Sequence, residues 1–175
     1  VVATPVITPY YHRRFDIAHD YYADTDKCLY CDLIIKELEQ GKRIIAETQE
    51  FVVFHPYASR TPYETWIISR THHASFGLLS AEHLTELATV LKDSLLCLYR
   101  ELDNPAFNLM VDTTTTEYEE DPCYHWHIRI VPRQSTIAGF EIGSGIYISD
   151  ARPEDTAKLM RECCLSCHLE DIVSL

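Results

Sequence analysis

Basic side chains are in short supply. Lys and Arg number 15 against 27 Asp and Glu, a net charge of −12. Such a balance cannot offset the repulsion of a long phosphate backbone, which excludes an extended nucleic-acid partner. A single nucleotide held by a few local groups is still allowed. Long apolar runs are absent too, and the start has no basic region followed by an apolar stretch, so neither a membrane span nor a signal peptide is expected. Glycine is sparse, at five residues. Gly143-Ser144-Gly145 lacks the third glycine and the strand-turn-helix setting of a dinucleotide fingerprint. The seven cysteines leave at least one unpaired, which fits a secreted disulfide scaffold poorly. A reduced, cytoplasmic setting is expected instead, with some cysteines binding metal and others buried.

At 175 residues and 46% hydrophobic composition, the chain suits one domain with its own core. It begins at Val1 rather than Met, which admits processing, trimming or membership in a longer polypeptide. Residues 1–27 read as a connecting arm: extended through Pro5 and Pro9, then a short helix over Arg13–Tyr22. The domain proper is expected over 28–168, with a tail at 169–175. Cys28 to Gln40 starts with a cysteine turn and continues as a helix stopped by Gly41, with Leu33, Ile34 and Leu38 on one side. Ile44-Ile45 and Phe51–Phe54 form a hairpin, and Thr65–Ser69 a buried strand. Ser80 opens the longest helix, with Glu82 in its first turn and Leu84, Leu87, Val90, Leu91, Leu95 and Leu98 at helical spacing. Asn104-Pro105 ends it. Strands follow at Phe107–Val111, His125–Val131 and Phe140–Ile148, with an acidic loop at 113–121, and a last helix runs from Pro153 to about Cys164. This order fits an antiparallel sheet of about five or more strands covered by helices, an α+β fold.

Cys123 to Arg133, C-Y-H-W-H-I-R-I-V-P-R, carries the most chemistry. Trp126, Ile128 and Ile130 alternate with His125, His127 and Arg129, so a strand projects two imidazoles and a guanidinium from one face. A cross-strand hydrogen-bonding face is the plain alternative. Far upstream, Cys28-Leu29-Tyr30-Cys31 has the spacing of half a tetrahedral metal site. Redox chemistry or simple burial are its alternatives, although no parallel βαβ pattern surrounds it. His72 and His73 follow one strand and His125 heads another, so two thiolates and two imidazoles could complete a four-ligand shell. Single histidines at 12, 19, 83 and 168 read as solvated or hydrogen-bonded. Cys164-Leu165-Ser166-Cys167-His168 is a second cluster, read as structural. His127 is placed as a nucleophile toward phosphorus, and Arg129 as a stabiliser of phosphate charge or as a surface partner of an acid.

Taken together, C-L-Y-C, T-P-Y-E-T-W-I-I-S-R-T-H-H-A-S-F, Y-H-W-H-I-R-I-V-P-R and A-G-F-E-I-G-S-G-I-Y-I resemble the histidine-triad superfamily. More narrowly, they resemble the C-terminal half of galactose-1-phosphate uridylyltransferases. The resemblance implies a unit lacking the family's nucleophilic His-Pro-His, which belongs to the N-terminal half and carries the uridylyl-histidine. It implies Zn2+ on Cys28, Cys31, His72 and His125, with His72 chosen over His73 because it stands four residues before Phe76. His127 matches the superfamily's nucleophile position. Phe140 and Gly143, and conservatively Ile142, match the segment lining the hexose pocket, while Ser144 and Gly145 depart from the Tyr-Glu of the best-known members. Asp112 falls near a histidine that binds iron in some members, so no iron site is expected. Arg129 replaces the third histidine of the small hydrolases.

The implied full-length protein exchanges UMP between UDP-glucose and a hexose 1-phosphate, and is a homodimer. Its partners are a UDP-sugar and a hexose 1-phosphate. Two other readings stand beside this one: a stand-alone nucleotide hydrolase or phosphorylase using His127, and a non-catalytic zinc-stabilised interaction domain.

Overall fold

The pleat of a β-strand divides the central strands of this chain between two apolar cores. The computed structural model describes residues 6–134, 136 and 138–173, with side chains as far as Cys164. Its elements are α1 (Pro9–Thr25), α2 (Leu29–Gln40), β1 (Ile44–Glu47), β2 (Phe51–Phe54), β3 (Thr65–Ser69), a 3-10 turn (Phe76–Leu78), α3 (Ala81–Glu101), β4 (Phe107–Asp112), β5 (His127–Pro132), α4 (Gly139–Ser144) and α5 (Pro153–Val173). The five strands form one antiparallel sheet in the order β1-β2-β3-β5-β4, the α+β arrangement expected.

Phe51, Val53, Ile67, Trp126, Ile128 and Ile130 face one way and pack with Leu87, Val90 and Leu98 of α3 and Ala157 and Met160 of α5. Val52, Phe54, Ile68 and Tyr124 face the other way, against Ala18 of α1 and Tyr30 and Ile34 of α2. Local signals set the helix limits. The Ser80 hydroxyl accepts a hydrogen bond from the His83 amide and caps α3. Gly41 ends α2 at φ 64°, a conformation that disfavours any residue with a Cβ.

Several expectations are corrected. Helix α1 is longer than Arg13–Tyr22, begins at Pro9, which needs no amide partner there, and packs on the sheet rather than standing off as an arm. Phe140–Ile148 is not a strand, because local hydrogen bonds close the helix α4 there. The Glu141 carboxylate accepts from the Ala138 amide at 3.1 Å, and the Ser144 hydroxyl donates to the Phe140 carbonyl at 2.6 Å. Helix α5 continues past Cys164. Buried free thiols were expected outside the metal set, yet Cys97 and Cys164 are joined by a disulfide that ties α3 to α5. The side chains of Cys167 and His168 and the last two residues of the tail lie outside the described residues. Among the described residues no helix is long and apolar enough to cross a membrane. Strand β4 lies at the sheet edge with Phe107, Leu109 and Val111 exposed.

Candidate functional site

Cys28 is the N-cap of α2 and Cys31 lies one turn on, so both thiols leave the same helix end. His72 follows β3, and His125 precedes β5. The loops that carry them are held together by the Trp126 amide, which donates to the His73 carbonyl at 2.9 Å. The structure thereby brings Cys28, Cys31, His72 and His125 together, with their donor atoms within 4.8 Å of one another. The Cys31 sulfur lies 3.3 Å from His72 Nδ1 and 3.5 Å from His125 Nδ1.

Both imidazoles are aimed by their other nitrogen. Nε2 of His72 donates to the Asp121 carbonyl at 3.1 Å. Nε2 of His125 donates to the Ser69 hydroxyl at 2.8 Å, whose own proton goes to the Thr71 carbonyl. These bonds leave the Nδ1 lone pairs facing the sulfurs, the outer-shell arrangement that orients metal-ligating histidine. Burial pushes His125 down to about 3, so its ring is neutral. The two cysteines share a proton: a hydrogen bond from Cys31 holds Cys28 down to about 5, and the same bond together with burial pushes Cys31 up. The cluster therefore offers two sulfurs and two imidazole nitrogens to one ion. His73 is outside it, its ring beside that of His83.

Two residues along from His125, a second cluster has a different character. The strand register sets Asp112 of β4 directly across from His127. Asp112 accepts from Arg129 Nε and, at 3.3 Å, from Arg129 Nη2. Arg14 of α1 enters as a fork: Nη1 donates to Asp112 at 3.2 Å, and Nη2 donates to His127 Nε2 at 2.8 Å. His127 Nδ1 donates to the His125 carbonyl at 3.0 Å, so Nε2 is the acceptor. Trp66 stacks on the imidazole with centroids 4.4 Å apart. Burial, reinforced by the Arg14 charge, pushes His127 down to about 3. Asp112 is held below its usual range because the hydrogen bond from Arg129 and the charges of Arg14 and Arg129 outweigh burial.

The nucleophile-equivalent His127 is thus fully buried with its attacking nitrogen occupied. Arg129 is neither a free phosphate ligand nor a surface pair, but one half of a buried ion pair. Of the remaining predicted residues, Phe140, Ile142 and Gly143 sit on α4 and make no described hydrogen bond from their side chains to either cluster, with Phe140 and Ile142 exposed. Sequence reasoning missed Arg14, Trp66 and Tyr30, whose hydroxyl accepts from Arg14 Nη2 at 3.4 Å. Asp112 was noticed only as a missing histidine. Arg14 had no signal beyond being one of two adjacent arginines in a stretch read as a connecting arm.

Residues 14–171 match the family described as galactose-1-phosphate uridyl transferase, C-terminal domain. An ADP-glucose phosphorylase from Arabidopsis thaliana is 36% identical over 168 residues, covering 95% of this chain and 46% of that protein. A galactose-1-phosphate uridylyltransferase from Thermotoga maritima is 26% identical, covering 88% of this chain and 52% of that protein. The chain therefore spans about half the length of these curated relatives. The crystal structure of the Arabidopsis ADP-glucose phosphorylase with bound ADP-glucose superposes with a TM-score of 0.79, covering 91% of this chain and 51% of that one. A zinc-bound histidine-triad protein from Mycobacterium smegmatis, 18% identical, shares the fold with a TM-score of 0.57, over 82% of this chain and 96% of that one.

Proposed function

This chain belongs to the galactose-1-phosphate uridyl transferase C-terminal domain family, and from that premise we propose that it is the second unit of a nucleotidyl-transferring enzyme acting on nucleotide sugars. In this reading it supplies a zinc-tied scaffold and sugar-site residues, while a histidine on an N-terminal unit carries the nucleotidyl group. The observation that carries the reading is the hydrogen bond from Arg14 to His127 Nε2. A nitrogen whose lone pair accepts a guanidinium proton inside the fold cannot reach phosphorus. That same bond counts against a stand-alone hydrolase working through His127.

Zinc is supported by the donor set. Tetrahedral Zn–S and Zn–N bonds of about 2.3 and 2.0 Å put sulfur and nitrogen about 3.5 Å apart, and the two Cys31 to imidazole distances are 3.3 and 3.5 Å. Four protein ligands leave no open position, so the ion would fix α2 to the loops around β3 and β5 rather than activate a substrate. Phe140, Ile142 and Gly143 are proposed to meet the sugar once the full assembly, a homodimer in the cytoplasm, is formed. Exposed α4 is suited to such a contact.

One observation bears on the nucleotide. The Arabidopsis ADP-glucose phosphorylase matches 95% of this chain at 36% identity, against 26% for the bacterial uridylyltransferase. This favours ADP-glucose as donor and inorganic phosphate as acceptor over UDP-glucose and a hexose 1-phosphate. The test incubates this chain alone, and a longer polypeptide containing the N-terminal unit, with ADP-glucose and UDP-glucose labelled at the α-phosphate. Covalent labelling is expected only in the longer protein, with ADP-glucose the faster donor. Labelling of this chain alone that disappears in His127→Ala would overturn the proposal.

A further inference from the structure

We propose that His19, Asp121 and Cys123 form a second, open site for a thiophilic divalent transition ion, distinct from the Cys28–Cys31–His72–His125 cluster. An imidazole nitrogen, a carboxylate oxygen and a thiol sulfur lie within 4.8 Å of one another. A single ion needs its donors closer than that, within about 4 Å for bonds of 2.0 to 2.3 Å. The half-exposed His19 ring has the freedom to close the remaining gap.

Asp121 is the centre of the arrangement. Its Oδ1 accepts from the Cys123 amide at 2.8 Å, which folds the Asp121-Pro122-Cys123 turn and fixes the carboxylate. Oδ2 meets His19 Nε2 at 2.9 Å. Asp121 and Cys123 are both buried, so two of the three donors are held by the fold before any ion arrives. A divalent ion would take the position now filled by the imidazole proton, which would move to His19 Nδ1, and would release the Cys123 thiol proton to solvent.

Two further features point to a ligand here. The site opens onto a cavity of about 550 Å3 whose wall includes His12 and Asp16. These residues precede His19 by seven and three positions on α1, the spacing that puts them on one helix face. Three protein donors with an open fourth position toward a cavity is the pattern of an ion that keeps an exchangeable ligand. The site also shares a wall with the first cluster. The Asp121 carbonyl receives the His72 Nε2 proton, and the Cys28 sulfur lies 3.4 Å from the Cys123 carbonyl oxygen.

Metal content of the whole chain decides the matter. After equilibration with Zn2+ and removal of free ion, elemental analysis is expected to find two zinc ions per chain. His19→Ala, a change at an exposed residue, and Cys123→Ser should each leave one, with the helical circular dichroism retained. With Co2+ in place of zinc, Cys123→Ser should lower the thiolate-to-cobalt charge-transfer intensity by about a third, one sulfur of three. One zinc in the parent chain that survives His19→Ala overturns the proposal and leaves the family reading intact. One zinc that is lost in His19→Ala but kept in His72→Ala supports this site and removes the first. An unchanged stoichiometry of two in His19→Ala and in a separately folded Cys123→Ser overturns it as well.

Discussion

His125 and His127 stand two residues apart and project from the same face, both fully buried and both kept neutral by burial. Their surroundings nevertheless give them opposite uses. His125 donates through Nε2 to a hydroxyl and turns a free Nδ1 toward two sulfurs. His127 donates through Nδ1 to a backbone carbonyl, and its Nε2 is closed by a guanidinium. The tautomer, set by one outer hydrogen bond in each case, separates a nitrogen left available to an ion from one already engaged as a structural acceptor. An H-x-H pair is therefore not one functional unit. Each imidazole takes its role from the group that holds its other nitrogen.

The sharpest way to break this comparison is at the sulfurs. Cys31→Ser, or a strong chelator applied to the parent chain, should remove zinc and cost more than about 4 kcal/mol, the range reserved for losing a metal or comparable element. Denaturant unfolding with parallel metal analysis would measure it. A midpoint unmoved by the chelator would show that these four residues hold the fold without an ion.

Asp112 comes next. It is fully buried between Arg14 and Arg129, so Asp112→Asn leaves two enclosed guanidinium groups without a counter-charge. Breaking a buried pair by removing one partner costs about 3–5 kcal/mol. The same substitution should leave zinc content unchanged, because no metal-site residue accepts from or donates to that carboxylate among the described hydrogen bonds. Loss of zinc alongside stability would mean that the two clusters are one network.

Much of this division was legible in the chain itself. The alternation of Trp126, Ile128 and Ile130 with His125, His127 and Arg129 predicts the two faces of β5, and these faces are seen. Ser80 and Gly41 mark helix ends because each satisfies a local backbone demand. Hidden features depend on distant partners. Arg14 meets Asp112 across a separation of 98 residues, and Cys97 meets Cys164 across 67. Neither pairing leaves a periodic trace. Phe140–Ile148 misled because its alternating Ile142, Ile146 and Ile148 mimic a strand, although all three side chains are exposed. The Glu141 and Ser144 side-chain hydrogen bonds favour a helix turn instead.

Arg14→Ala sharpens the comparison further. It removes the donor to His127 Nε2 while leaving Asp112 paired with Arg129. A charge-assisted hydrogen bond of this kind is worth about 1.5–3 kcal/mol. The expected result is a loss of about 2 kcal/mol and faster acylation of His127 by an imidazole-directed reagent, read by peptide mass analysis. Equal reactivity of His127 in the two proteins would mean that Trp66 and burial, not Arg14, keep the nitrogen closed.

His55 calibrates the smallest effect, because it is buried and neutral with neither sulfur nor a carboxylate among its hydrogen-bond partners. Its Nδ1 lies 2.7 Å from the Thr156 hydroxyl of α5, and its Nε2 lies 3.2 Å from the Thr65 hydroxyl of β3. Burial pushes it down to about 3. The native ring therefore stays unprotonated as the pH falls, while the unfolded chain takes up a proton below about 6.5, the ordinary histidine value. Stability contributed at neutral pH is lost progressively from pH 6.5 toward 3, at up to about 1.4 kcal/mol per pH unit for this one proton. His55→Gln keeps hydrogen-bonding groups toward both threonines and cannot titrate. Its unfolding free energy, compared with that of the parent between pH 6.5 and 5.5, should fall less steeply by about 1 kcal/mol. Identical slopes in the two proteins would place the acid sensitivity entirely on the sulfur and arginine clusters, and would mean that His55 is protonated in the fold.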